Sequence, residues 1–274
     1  MKRVFVFLFA ICSILCVMPL CNADEFDFEE FDSGEEGLSD DMGEYAIETE
    51  DDDNTECRMT KIQINNDAAP VAANGFDIAG IMLGMTFDEA QMVARENGLY
   101  KNRPKDSVVY SIHKDWKYNL DYECRRQQVY MPAKLDQCIK SLARNRGVLY
   151  ASELHLVRDV TGETIDVYFT SNATDNVVWK IVYKNDANDE EGMEEKFENQ
   201  KNKKIMAWWQ GVLEKYGEPN AGNDKWASSD NAFDPLMTAY YGELELVDCG
   251  RQADDSATNI QQAMDNFAAK PYAF

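Results

Sequence analysis

Apolar positions along the chain fall into three patterns: one unbroken run, one sparse acidic stretch, and a long periodic part. Residues 4–20 form the unbroken run. Periodicity starts near Phe76 and is clearest at Thr86-Phe87-Asp88-Glu89, a capping box with Thr86 as N-cap and Glu89 three residues on. Met85 and Ala90 occupy the two staple positions. The helix is expected to reach Asn97, where Gly98 can take the left-handed conformation that ends it. Between 107 and 131 the alternation Val108/Tyr110 and Trp116/Tyr118/Leu120 predicts two short strands, with room for a third. Leu135, Cys138, Ile139 and Leu142 have helical spacing and predict a helix over 133–145.

A meander should follow, with strands near 151–158, 163–170 and 177–184. Ile165, Val167 and Phe169 share one face of the second strand, and Val177, Trp179, Ile181 and Tyr183 one face of the third. That is the signature of a half-buried antiparallel sheet. A long helix is predicted over 190–216, charged all round in its first half. Its second half carries an apolar face of Ile205, Met206, Trp209, Val212, Leu213 and Tyr216. Gly217 stops it and Pro219 prevents a restart. Strands at 224–228, 236–241 and 243–248 and a short polar helix near 256–267 complete the chain.

Helix, strands, long helix, strands is an α+β order, with helices packed on antiparallel sheet. Residues 90–98 and 212–217 echo one another as helix ends that precede strands. The echo fits two tandem helix-plus-sheet units, residues 71–189 and 190–274.

Charge divides the chain differently. Of 274 residues, 27 are Lys or Arg and 50 Asp or Glu, a formal net charge of −23. So acidic a chain lacks the cations that displace phosphate counterions, and nucleic acid is not an expected partner. Residues 24–56 hold 17 of the acids and no Lys or Arg. Self-repulsion makes residues 24–70 read as a disordered acidic arm and linker. The arm opens Asp24-Glu25-Phe26-Asp27-Phe28-Glu29-Glu30-Phe31-Asp32. Phe26, Phe28 and Phe31 interleaved with carboxylates are candidate anchors for a basic groove on a partner. Asp51-Asp52-Asp53 lacks the turn glycine and distal Glu of a calcium loop.

Lys2 and Arg3 before the apolar run, and Cys21-Asn22-Ala23 after it, read as a secretory signal over residues 1–23, cleaved after Ala23. An uncleaved anchor is a second reading. Lipidation at Cys21 is a third, disfavoured because Leu20 is not small. No later apolar run approaches membrane length, so no transmembrane span is expected after cleavage. Four cysteines remain: Cys57, Cys124, Cys138 and Cys249. In an exported chain they read as two disulfides with three conceivable pairings. The local pair Cys124–Cys138 is favoured, which leaves Cys57–Cys249. The spacing suits no zinc site.

The run Ile81-Met82-Leu83-Gly84-Met85-Thr86-Phe87-Asp88-Glu89-Ala90 resembles the opening of the first helix in small bacterial envelope proteins of the SmpA/OmlA (BamE-type) family and in β-lactamase-inhibitor-like domains. Tyr216-Gly217-Glu218-Pro219 is similar to a helix end in the same proteins. About thirty residues carry the resemblance. It implies helices on one face of an antiparallel sheet, and action by binding rather than catalysis. Leu83, Gly84, Met85, Thr86 and Glu89 carry the motif, and their roles are structural: inward packing, a tight bend and a cap.

Catalytic patterns are weak. His155 lies between Leu154 and Leu156 and should point away from the face they bury. His113 follows an apolar stretch. No GxSxG, HExxH, P-loop or dinucleotide-binding glycine pattern occurs. Paired carboxylates such as Asp121, Glu123 and Asp166, with Trp116, Trp179 or Trp226 as stacking platforms, are the one enzymatic alternative. Asn172-Ala173-Thr174 matches a glycosylation sequon. Trp208, at the edge of the long helix's apolar face, joins the phenylalanines as a candidate contact. The expectation is therefore an exported, periplasmic or extracellular, non-catalytic binding or scaffolding protein without a cofactor. Its partner would be an envelope or secreted protein with a basic surface. An inhibitor of an extracytoplasmic enzyme is the runner-up, ahead of a carboxylate-dependent hydrolase.

Overall fold

The computed structural model describes Cys57 and residues 62–65, 71–98, 107–158, 161–185 and 195–268. The signal region and Phe26, Phe28 and Phe31 lie outside them. In chain order the elements are β1 (Asp77–Ile78), β2 (Ile81–Met82), α1 (Phe87–Glu96), β3 (Val108–Ile112), α2 (Lys114–Arg126), α3 (Pro132–Arg146), β4 (Leu149–Val157), β5 (Thr164–Phe169), β6 (Val178–Lys184), α4 (Glu195–Tyr216), β7 (Lys225–Ala227), β8 (Leu236–Tyr240), β9 (Glu243–Val247) and α5 (Cys249–Ala268). The protein is an α+β fold.

Strands β3 to β9 form one antiparallel sheet in the order β3-β4-β5-β6-β9-β8-β7, and β1 pairs with β2 apart from it. Strand alternation decides what each face carries. Leu154, Leu156, Ile165, Val167, Phe169, Ile181, Met237, Ala239, Leu244, Leu246 and Trp226 belong to one buried core. Ala90 and Ala94 of α1 and Val212 of α4 close it, with Trp209, Leu213 and Tyr216 packed at its margin. The sheet has an internal order. β4-β5-β6 follows α1 and β7-β8-β9 follows α4, and the last strands of the two meanders, β6 and β9, pair at its centre.

The turn before α1 shows how the sequence seats a helix. Thr86 and Glu89 form both halves of a capping box. Gly84 donates its N–H to the Val178 carbonyl (2.8 Å), and Val178 returns one to Met85 (2.8 Å), so the turn is laced to the start of β6. Gly84 has φ +85°, and a Cβ there would lie 3.3 Å from the Arg251 guanidinium. The positive φ favours glycine, while the guanidinium, the end of a flexible side chain, would have to shift slightly for a Cβ. Leu83 and Met85 pack against the main core.

Four expectations are corrected. Trp179 does not share a face with Ile181: an irregularity at Tyr168/Phe169 sets Val178 opposite Phe169 in the main core, and Trp179 packs with Tyr168 and Val247 instead. Residues 114–126 are helix α2, not strand. Trp116 and Leu120 are buried together while Tyr118 between them is exposed, so the alternation 116/118/120 matched a period of two by coincidence. Met206 is exposed rather than on the apolar face of α4. The last helix starts at Cys249 rather than near 256, because Asp248 Oδ1 accepts the Arg251 N–H (3.0 Å) as an N-cap. Gly250 sits in its first turn, where a Cβ would meet the Phe233 carbonyl oxygen at 2.9 Å.

Two disulfides tie these parts together. Cys124–Cys138 joins α2 to α3, and Cys57–Cys249 fastens the chain ahead of β1 to the first residue of α5. Cys249 packs with Trp179 and Val247.

Candidate functional site

Helix α2 is shaped by what it buries. Leu120 and Cys124 form a small core with Leu135, Ile139 and Ala143 of α3, separate from the main one. Arg146 at the end of α3 reaches back to Glu123 (2.6 Å). On the other side, the buried Asn119 amide donates to the Ala263 carbonyl of α5 (3.0 Å). That bond and the Tyr122–Phe267 ring pair (6.3 Å between centroids) show the two helices lying side by side.

The outer surface of this helix pair is unusually apolar. Tyr118 and Tyr122 stand one turn apart on α2, and Ile260, Met264 and Phe267 follow helical spacing on α5; all five are exposed, Tyr118 by 73% and Met264 by 62%. Tyr130 and Met131, before α3, are exposed as well. Scattered apolar side chains are ordinary on a surface, but a group gathered on two adjacent helices makes this face the candidate site. Its α2 side is basic, while α5 carries one Arg against Asp254, Asp255 and Asp265. Residues 113–147 carry eight Lys or Arg and four Asp or Glu, a net of +4 within a chain of −23. Lys114, Lys117 and Arg126 are exposed beside the tyrosines.

Beneath the start of both helices lies a polar pocket of about 290 Å³ lined by His113, Tyr150, Glu153, Trp179, Gln252 and Asp255, among others. Asp255 is committed to structure. It accepts from the Ser171 N–H (3.1 Å), Ser171 Oγ (2.6 Å), Thr174 Oγ1 (2.5 Å) and Asn259 Nδ2 (3.1 Å), which fastens the turn at 172–174 to α5. Burial pushes the His113 imidazole below its usual range. Burial, then Asp255 and Glu153, push the Tyr150 hydroxyl up to about 12. Near neutral pH both are uncharged hydrogen-bonding groups rather than an activated nucleophile and its base.

His155 stands on the sheet face opposite the main core, between two carboxylates: Asp166 Oδ1 lies 2.6 Å from Nδ1 and Glu153 Oε2 3.2 Å from Nε2. The bond to Asp166 and then that to Glu153 raise its pKa to about 10. An imidazolium held this way is a poor general base. From the usual 6.5 up to about 10, the folded chain keeps a proton that the unfolded chain releases, so this stabilisation is complete below 6.5 and is lost as pH rises through 10. The side chain is 36% exposed, so solvent screening cuts the effect to about 1–2 kcal/mol. Urea midpoints measured from pH 6 to 9.5, below the range of tyrosine ionisation, should fall with pH, and His155→Gln should flatten the decline. Parallel curves for the two proteins would refute the linkage.

The remaining candidates separate. Asp121 pairs with Arg125 (2.7 Å), Glu123 with Arg146 and Asp166 with His155, and none of the three lines the polar pocket. Trp226 is fully buried, Trp116 and Trp179 nearly so, and Trp179 keeps an edge in the polar pocket. Trp208 is half-buried on α4, 6.1 Å from the Trp209 ring, and lines a pocket of about 320 Å³ with Ile78, Tyr183 and Tyr216. The Asn172 amide donates to the Gly147 and Leu149 carbonyls (2.8 and 3.1 Å) and so serves the fold. Among the described residues, no three His, Cys, Asp or Glu side chains gather as a metal site, and no helix is long and apolar enough to cross a membrane. The sequence conceals the α2–α5 surface because the 116/118/120 alternation of α2 mimics a strand. The available signal was Tyr118/Tyr122 at i, i+4 and Ile260/Met264/Phe267 at i, i+4, i+7. No protein-family model, curated protein or solved structure matches this chain.

Proposed function

We propose that this is an exported, non-catalytic binding or scaffolding protein of the bacterial periplasm or envelope, and that the α2–α5 surface is where it holds a protein partner. The observation that carries the reading is the exposed group Tyr118, Tyr122, Ile260, Met264 and Phe267 with basic residues beside it. Apolar anchors inside a charged rim are the anatomy of a recognition surface. The two disulfides accord with an oxidising compartment. The segment 81–90, with its resemblance to small envelope domains that work by binding, points the same way. The acidic arm suits a basic partner surface, whereas the α2–α5 face suits a segment that mixes acidic and apolar side chains.

Crosslinking from a native envelope fraction tests the reading with exposed side chains. Tyr118→Ser with Met264→Ser should reduce recovery of the partner at least ten-fold and leave the thermal midpoint within about 2 °C, since surface changes cost little stability. Undiminished recovery would remove the α2–α5 face from consideration.

A further inference from the structure

The cavity beside Trp208 shares no residue with the α2–α5 face. It lies between α4, the β1–β2 turn and the adjoining ends of β5, β6 and β9, with a volume of about 320 Å³. We propose that it binds a small free carboxylic acid with an aryl or branched alkyl body, the body along α4 and the carboxylate toward Arg158 and Lys215. This site goes beyond the partner surface and does not depend on it.

Three observations converge. First, α4 carries Gly211 in its interior, where glycine is among the worst helix formers. No close approach calls for it, since a Cβ there would meet nothing within 4 Å. What the glycine does is keep the cavity open alongside Trp208 and Val212. Second, the floor is a row across three strands. Ile165 pairs with Tyr183 and Tyr183 with Leu244, so the three side chains stand together on the core face. With Ile78 and Trp208 at its sides, this surface accepts carbon rather than polar groups. Third, the hydrogen-bonding capacity left in the walls is cationic. Glu163 already accepts from Arg158 Nη1 (3.0 Å), Thr161 Oγ1 (2.6 Å) and the Tyr183 hydroxyl (2.7 Å). The Tyr216 hydroxyl donates to the Asp77 carbonyl (2.6 Å). Lys215 Nζ donates to that carbonyl (3.0 Å) and to the Asp77 carboxylate (2.8 Å), which leaves it one N–H. Among the described residues, Arg158 uses Nη1 alone and keeps Nη2 and Nε. Donors of this kind select an anionic oxygen, and a guanidinium suits a carboxylate best. An amine would find the one carboxylate in the lining already engaged.

The test measures binding of 4-phenylbutyrate, 4-phenylbutanol and 4-phenylbutylamine to the full chain by ligand-observed NMR. The acid should bind with a Kd of about 1 mM, the scale for so small a ligand, and about ten-fold more tightly than the alcohol or the amine. Gly211→Leu fills the open space with a better helix former. Its thermal midpoint should hold or rise while the acid's affinity falls about ten-fold. Gly211→Ala should also hold or raise the midpoint and leave affinity within about two-fold. Arg158→Gln should erase the preference for acid over alcohol without changing the alcohol's own affinity. No binding of the acid at about 10 mM, or an alcohol or amine that binds as well, overturns the proposal. So does a folded Gly211→Leu protein that binds unchanged. A lowered midpoint in that variant also counts against it, because packing then explains the glycine. A peptide ending in phenylalanine that binds far more tightly than the free acid overturns it too, since the ligand is then the end of a protein chain.

Discussion

Trp226→Ala should lower the free energy of unfolding by about 3–5 kcal/mol, the range for truncating a buried aromatic side chain. Trp226 is fully buried in β7 although β7 has only three residues and lies at the sheet edge. Its ring meets Trp209 (6.0 Å) and Tyr216 (6.4 Å) of α4, and its Nε1–H donates to the Gly217 carbonyl (3.0 Å) where that helix ends. The substitution opens a cavity between helix and sheet and removes the carbonyl's partner, and the two losses act in the same direction. Half-buried Trp208 is the control, for which about 1 kcal/mol is expected. Urea unfolding at constant slope measures both. A loss below about 1 kcal/mol at Trp226 would mean that the β7 edge unfolds apart from the main core.

The second large effect concerns Cys57–Cys249. Replacing both cysteines with serine should cost about 5 kcal/mol, and replacing Cys124 and Cys138 about 3 kcal/mol, because the loops closed differ so much in length. The separations are 192 and 14 residues. Removing the long cross-link should also steepen the dependence on denaturant, since the unfolded chain expands when released. Equal losses from the two pairs, measured without reductant, would contradict the chain-entropy account.

Much of this architecture was legible in the residues. Thr86 and Glu89 announce α1, Gly217 and Pro219 end α4, and period-two runs in 149–184 give the central strands, because local sterics and capping decide these features. α2 was not legible. Three alternating apolar residues satisfy a strand template over a window too short to reject it, and only burial of Trp116, Leu120 and Cys124 together reveals the helix. The first turns of α5 were hidden by Gly250, a residue that disfavours helices and is present here because the Phe233 carbonyl comes so close. The exposed α2–α5 face was less accessible still. Tyr122 and Phe267 are far apart in sequence, and no local pattern states that they meet.

The α2–α3 hairpin has no counterpart in the second half of the sheet, where α4 leads directly into β7-β8-β9. It also has its own small core and its own cross-link. It is a helical pair inserted between β3 and β4, two strands that are neighbours in the sheet. Exposed residues on its outer side touch none of the buried sheet layer, so substitutions there can accumulate while the strands beneath stay fixed.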